Sequence, residues 1–285
     1  MPEGYLYIRV LKVKVISRAL SPAKVNLGLW VLGKRSDGYH DILTLFHAID
    51  LCDEILIEEG PFRVETNTGI PMEENLVYRA LVEFQRRTGR EVEYRIYISK
   101  KIPEGSGLGG GSSNVATVLK EINRLEGDLL PEEEISEIAG SVSSDAPFFV
   151  KGGTQLGAGR GDVLRELENL ELDITLVIPR VKASTPEVYS RFREEHFTDV
   201  NPEEVISMVM EGRYELLENK LGELACEVYP EIGEVVRFIE HLGFKALVSG
   251  SGSAVFYIGK PTKELVAGAR LRGWSVFETK SWLGV

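Results

Sequence analysis

Several separated stretches carry residues whose types and spacing suit one kind of chemistry. In IPEGSGLGGGSSN, Ile102 to Asn114, glycines at 105, 107, 109, 110 and 111 run directly into two serines. Glycine is costly to order, so such a run belongs where the chain turns tightly or lets a ligand touch its backbone. Where the run opens a helix, the usual ligand is a phosphate. In SPAKVNLGLWVL a strand's period of two puts Ala23, Val25, Leu27 and Leu29 on one face and Lys24, Asn26 and Gly28 on the other. That second face is either a polar pocket or the solvent side of an antiparallel sheet. In VSSDAPFFV, Asp145 is either a turn residue, as Asp and Pro locally favour, or a general base. Phosphoryl transfer to an alcohol needs a carboxylate for the hydroxyl proton and a cation beside the transferred group. Asp145 and Lys24 could supply both. A second glycine turn, VSGSGSAVF (Val248 to Phe256), could close a cleft over the acceptor.

The main glycine run admits several phosphate readings. A Walker A loop requires G-x-x-x-x-G-K-[ST], and the lysine is missing. Gly105, Gly107 and Gly110 match G-x-G-x-x-G between a strand and a helix. A dinucleotide fold, however, continues with a strand and an acid, whereas PEEEISEI here starts a second helix. In the third reading, amides from Gly107 to Ser113 wrap a triphosphate as an anion nest. A helix starting near Ser112 adds its positive end, and the Ser112 and Ser113 hydroxyls reach a phosphate or its Mg²⁺. A plain flexible loop with Ser112 as N-cap is the remaining alternative. Pro103 and Leu108 inside the run, and the clear strand and helix beside it, speak against that.

The elements that must position these groups follow from periodicity. Residues 5–16 alternate as a strand, SPAKVNLGLWVLG reads as another, and 42–59 as one or two more. NLVYRALVEFQRRTG has helical spacing at Leu76, Val77, Ala80, Leu81 and Phe84, with Gly89 suited to its C-terminus. EVEYRIYIS is a strand, SSNVATVLKEINRLEG a helix, and LPEEEISEIAGSVS a helix opening with Pro131 and three acids. Past about residue 170 the pattern restarts: strand DITLVIP, then helices over PEVYSRFREEHF, PEEVISMVMEG, YELLENKLGELACEVYP and IGEVVRFIEHLGF. A strand–turn–strand, ALVSGSGSAVFYIG, a helix, TKELVAGARLRG, and a strand, WSVFETKSW, complete it. The class is α+β in two halves dividing near 160–172.

Composition narrows the function. The chain has 285 residues, 43% apolar and 27% charged, as expected of a globular protein of one large or two medium domains. Its net charge of −11 argues against broad binding to nucleic acid, while leaving room for a local basic pocket. Cys52 and Cys226 fit no zinc or redox spacing and read as reduced core thiols. No apolar run reaches membrane length, and the charged N-terminus does not read as a signal peptide. The expected location is the cytoplasm.

These pieces, in this order, resemble the GHMP kinase superfamily of galactokinase, homoserine kinase, mevalonate kinase and phosphomevalonate kinase. SPAKVNLGL, PEGSGLGGGSSN and SGSGSAVF match its three motifs, and the likeness runs from about Ser21 to the last strand. The run through GYHD to HAIDLCDEI, with SSDAPFF and TPEVY, is similar to the branch whose acceptor is a methylerythritol carrying cytidine diphosphate. Mevalonate and homoserine kinases lack the GYH element. The resemblance implies a ribosomal-protein-S5-like N-terminal domain (1–165) and a ferredoxin-like C-terminal domain (166–285), with the site between them. It implies transfer from ATP, with Mg²⁺, to a tertiary 2-hydroxyl in the non-mevalonate isoprenoid pathway. Asp145 would be the base, with Lys24 beside it and Asn26 positioning the region. Pro103, Gly105, Ser106, Gly107, Leu108, Gly109, Gly110, Gly111, Ser112 and Ser113 would cradle the phosphates, with Ser113 on the metal. Tyr39, His40 and Tyr189 would hold the cytosine, with Gly250 and Ser251 closing the acceptor site. The partners expected are this small molecule alone, no nucleic acid and no membrane, for a monomer or homodimer. Phe46 stands where some relatives have tyrosine, Ser106 where glycine or alanine is more usual, and residues 1–15 precede the usual start. A different small-molecule kinase of the superfamily, a non-catalytic binding protein on this fold and a dehydrogenase are the rival readings.

Overall fold

The computed structural model describes residues 14–284, so most of the strand expected over 5–16 lies outside the described residues. The first half runs β1 (Val15–Lys34), β2 (His40–Glu59), β3 (Arg63–Thr66), α1 (Leu76–Thr88), β4 (Tyr94–Ser99), α2 (Gly110–Leu125), α3 (Glu132–Val142), α4 (Ala146–Lys151), β5 (Thr154–Ala158) and β6 (Val163–Glu166). The second runs β7 (Asp173–Ile178), α5 (Thr185–Ser190), α6 (Pro202–Met210), α7 (Lys220–Val228), α8 (Pro230–His241), β8 (Leu247–Val248), β9 (Val255–Ile258), α9 (Lys263–Arg272) and β10 (Ser275–Lys280).

β2 organises the first sheet. It pairs with β1 along its whole length, with β4 through Glu54–Glu59 and with β5 through Thr44–His47, giving the order β3-β4-β2-β5-β6 with β1 on β2. Helices α1–α4 cover one face. Ile55, Ile57, Ile96 and Ile98 of the strands pack there with Phe84, Leu119, Ile138 and Phe148. α1 follows the sequence closely: Asn75 caps its N-terminus, and Gly89 ends it at φ 66°.

The second sheet is antiparallel in the order β10-β7-β9-β8, with α5–α8 between its first two strands and α9 between its last two. That is the ferredoxin-like order. Its strands alternate cleanly. Val177, Val255 and Tyr257 meet the helices, while Ile174, Leu176 and Phe256 join Ala23, Val25 and Leu27 of β1 in a core common to both halves. β1 is therefore buried on both sides from Ala23 to Val31, and the solvent-facing alternative for its polar face is removed.

Three expectations need correction. α2 begins at Gly110, not near Ser112, because Gly109 takes the left-handed N-cap conformation (φ 72°) without needing a side-chain cap. The helix over PEVYSRFREEHF is confined to Thr185–Ser190, followed by a short 3₁₀ turn at Glu194–His196. The helix over YELLENKLGELACEVYP starts only at Lys220, because Asn219 turns its side chain to the Gly222 amide as an N-cap. The GGTQLGAGRGD stretch, with no element assigned from sequence, contributes most of the β5–β6 hairpin. None of the described helices is long and apolar enough to cross a membrane.

Candidate active site

Lys24 is the centre of the site. Its side chain is buried between the halves (3% exposed). The ammonium lies 2.6 Å from Asn26 Oδ1, 2.9 Å from the Gly107 carbonyl and 3.4 Å from Asp145 Oδ2. Burial lowers its pKa, and the charge of Asp145 opposes that shift. Asn26 is held in turn: its amide donates to Thr44 Oγ1 at 2.7 Å, and Thr44 donates to the Gly28 carbonyl. The register shift in β1 between Asn26 and Gly28 falls at this polar run. Thr44 has no motif around it, and only the β1–β2 pairing brings it to Asn26.

Asp145 immediately precedes α4 in helical backbone conformation and makes no side-chain cap bond. A turn residue there would be expected to cap the helix. Its carboxylate instead points to Lys24 and remains 37% exposed to the cleft.

Two pockets flank this pair. One, of about 680 Å³, is bordered by Lys24, Asn26, Asp145, Tyr39, His40, Tyr189, Gly250 and Ser251, all singled out from the sequence. Lys34, Arg160 and Thr185, which were not, also border it. The other, of about 340 Å³, is bordered by the glycine run from Pro103 to Ser112, with Lys100 and Glu74. Gly107 borders both, so the two spaces meet beside Lys24.

The glycine run presents free backbone donors. The amides of Ser106, Gly107 and Leu108 have no protein acceptor among the described residues, and the first amides of α2 follow them. Gly107 and Gly109 have positive φ, and a Cβ there would come within 2.1 Å of the Ser249 carbonyl and 2.8 Å of Phe149. Ser112 borders the pocket with its hydroxyl 2.7 Å from that of Ser143. Ser113 is fully buried and accepts from the Ser21 hydroxyl at 2.7 Å, so it faces β1 rather than the pocket. α2 packs against β1, and Ser113 lies on that packed side of the helix. Among the described residues, no three His, Cys, Asp or Glu side chains gather to cage a metal.

Entry to the run is fixed by Asp53, which sequence reading missed. Its carboxylate, 0% exposed, accepts from the amides of Lys101 (2.7 Å) and Ile102 (2.9 Å) and from Asn114 (2.9 Å). It also pairs with the Lys100 ammonium. Nothing in the local pattern DLCDEI marks this carboxylate as different from its neighbours.

The GYH element occupies the β1–β2 turn, where Gly38 has φ 86° and Asp37 accepts from the Tyr39 amide. Tyr39 is 56% exposed at the pocket mouth, with the Arg160 guanidinium 5.0 Å from its ring centre. His40 stacks on Tyr189 with centroids 4.8 Å apart and 24° between planes. No third ring fits between those two, so they form one wall. Phe192 and Phe197 extend it. Burial, then the charge of Asp145, pushes the Tyr189 phenol up to about 12, which keeps it neutral. Phe46 lies under Lys24, 5.5 Å from ring centre to ammonium. The two cysteines are away from this chemistry. Burial first, then nearby acids, raises Cys52 to about 12, and burial raises Cys226 to about 11.

The fold and the lysine–carboxylate pair beside a glycine loop define a GHMP kinase. The family model for the GHMP kinases N terminal domain matches residues 75–153. The 4-diphosphocytidyl-2-C-methyl-D-erythritol kinase of Persephonella marina is 45% identical over 91% of this chain and 97% of its own. The chloroplastic kinase of that name from Oryza sativa is 36% identical over 85% of this chain. A crystal structure of 4-(cytidine 5'-diphospho)-2C-methyl-D-erythritol kinase superposes with a TM-score of 0.78 at 33% identity, over 93% of this chain and all of the other. Methanococcus jannaschii mevalonate kinase shares the fold at 18% identity (TM-score 0.67). The chain belongs to the 4-diphosphocytidyl-2-C-methyl-D-erythritol kinase family.

Proposed function

We propose that this chain transfers the γ-phosphoryl group of ATP to the 2-hydroxyl of 4-diphosphocytidyl-2-C-methyl-D-erythritol, a step of the non-mevalonate isoprenoid pathway. The observation that carries this reading is the meeting of the two pockets at Gly107, beside the Lys24–Asp145 pair. ATP lies along the glycine run, with its phosphates on the free amides of 106–108 and the start of α2. The acceptor fills the larger pocket, with its base on Tyr39 against the His40–Tyr189 wall. Asp145 takes the proton of the 2-hydroxyl. The freed oxygen bonds to the γ-phosphorus, the bond to the β–γ bridging oxygen breaks, and ADP leaves. Lys24 holds the hydroxyl oxygen and offsets charge developing on the transferred group.

Mg²⁺ fits as an ion carried by the nucleotide. Such ions bind through one or two protein oxygens and the substrate's phosphates rather than a protein cage. Ser112, Glu74 and Glu104 are among the oxygen donors bordering the loop pocket. When bound, the ion would neutralise phosphate charge there. The substrates are those of an aqueous compartment, and the cytoplasm is the proposed location.

The test is ADP release from Mg·ATP with the cytidine-linked acceptor beside mevalonate, homoserine and galactose. Turnover with the first alone supports the reading. Turnover with another alcohol keeps the kinase and discards the role of the GYH element. ATP binding without turnover on any acceptor favours a non-catalytic binding protein. Tyr39→Ala is expected to raise the acceptor KM about 5- to 150-fold, from a stacking contribution of about 1–3 kcal/mol, with the KM for ATP unchanged. An effect on ATP alone would remove the base from Tyr39.

A further inference from the structure

The glycine run belongs to the first half of the chain, but the second half holds its backbone. Three consecutive carbonyls are engaged from there. Gly105 accepts from the Ala183 amide at 3.3 Å, Ser106 from the Ala254 amide at 2.9 Å and Gly107 from Ser249 Oγ at 3.0 Å. In a planar trans peptide the N–H points opposite to its own C=O. Fixing these three carbonyls therefore aims the amides of Ser106, Gly107 and Leu108 the other way, and these amides have no protein acceptor among the described residues. The phosphate-binding face of the loop is set by residues outside it.

Ser249 is the polar side chain in this clasp. It is fully buried and also accepts from the Asn26 amide at 3.3 Å, so one hydroxyl joins the second glycine turn, the loop and β1. The Gly107 carbonyl it holds is the one that receives Lys24. The next two residues, Gly250 and Ser251, border the acceptor pocket. Ser251 is tied to Thr185 at 2.6 Å, and the Asn219 amide holds the carbonyls of Val248 and Gly250 at 2.7 Å. Gly107 packs so closely on this turn that a Cβ would clash with the carbonyls of both Ser249 and Gly252. The two loops are therefore packed and hydrogen-bonded to each other.

We infer that Ser249 is a positioning residue of the phosphoryl-transfer site: by tying Gly107 to the turn that borders the acceptor, it couples acceptor binding to nucleotide binding. This rests on the function proposed above. Acceptor seated against Gly250 and Ser251 steadies the turn. Through Ser249 it then steadies the loop amides that receive the nucleotide, and each ligand strengthens the other by the same factor.

The experiment measures the dissociation constant of the β,γ-imido analogue of ATP with and without saturating 4-diphosphocytidyl-2-C-methyl-D-erythritol, in the wild type and in Ser249→Ala. The wild type is expected to bind the analogue about 5- to 20-fold tighter with acceptor present, a usual coupling size. Ser249→Ala should bind both ligands but lower that factor to below about 2. An equal factor in both proteins, or none in the wild type, overturns the inference. Failure of the wild type to bind the acceptor at all instead overturns the proposed function. Should Ser249→Ala not fold, hydrogen exchange over 102–114 of the wild type decides: acceptor alone must slow it. Unchanged exchange refutes the coupling.

Discussion

The Lys24 ammonium and the Asp145 carboxylate face each other at 3.4 Å, one from a strand buried on both sides and the other from the residue just before a short helix. The lysine is enclosed, while the carboxylate opens on the cleft. That asymmetry suits a base that must reach a hydroxyl proton beside a fixed cation. Asp145→Asn keeps the shape and removes the base. It should lower kcat by about 10²–10⁴ while leaving binding of the imido analogue intact. Turnover within a few-fold of wild type would remove Asp145 from the base role.

Lys24 is surrounded by acceptors placed for a single point charge: Asn26 Oδ1, the Gly107 carbonyl and Asp145. Lys24→Met should lower kcat by about 10²–10³, the usual result of removing one donor from a developing charge. Lys24→Arg restores charge but brings a planar fork into a space so close that even a Cβ at Gly109 would come within 3.1 Å of the lysine stem. It should not recover the rate. Recovery in a steady-state assay would show that charge alone matters here.

Asp53 receives two backbone amides, an asparagine and a lysine in a fully buried position. Asp53→Ala leaves Lys100 buried without its counter-charge, and breaking such a pair costs about 3–5 kcal/mol. The entry to the glycine run loosens as well. Urea unfolding should show that loss, and the imido analogue should bind more weakly. A loss below about 1 kcal/mol would mean that water replaces the carboxylate without penalty.

His47 ties β2 to β5 and to the chain end, through Thr154 at 2.9 Å and Ser281 at 2.8 Å. Burial lowers its pKa to about 4. The unfolded chain, with an ordinary histidine pKa of about 6.5, binds the proton more readily than the folded one. Stability is therefore fully present above about pH 6.5 and falls as pH drops towards 4. This amounts to about 2 kcal/mol between pH 7 and pH 5. Denaturant midpoints across that range should show the slope, and His47→Gln should flatten it. An identical slope in the variant would assign the effect to other groups.

Much of this molecule follows from local chemistry. Alternation along β1 and β4, helical spacing in α1, Gly89 at its end and the strand–glycine–helix run all depend on a few neighbouring residues, so the chain reads out directly. Residues with motif-bearing neighbours, Lys24, Asn26, Asp145, Tyr39, His40 and Tyr189, likewise stand out in the sequence, and the fold gathers them around one pocket.

Other features depend on contacts between distant segments. The side on which Ser113 faces, the first residue of α2 and the break before Lys220 turn on packing against β1 and on an asparagine's choice of cap. Thr44 and Asp53 look ordinary in sequence, and Ser249 shows there only as part of a glycine turn, because each acts on a partner from another part of the chain. Burial raises the cost of leaving their polar atoms unpaired, and tertiary structure supplies the partners. By itself the sequence determined the α+β halves, the strand–glycine–helix loop and the residues available for chemistry. Only the tertiary structure decided which face of β1 is enclosed, which amides of the glycine run lack an acceptor among the described residues and which hydroxyl joins the two halves. Those depend on the closure of one half upon the other.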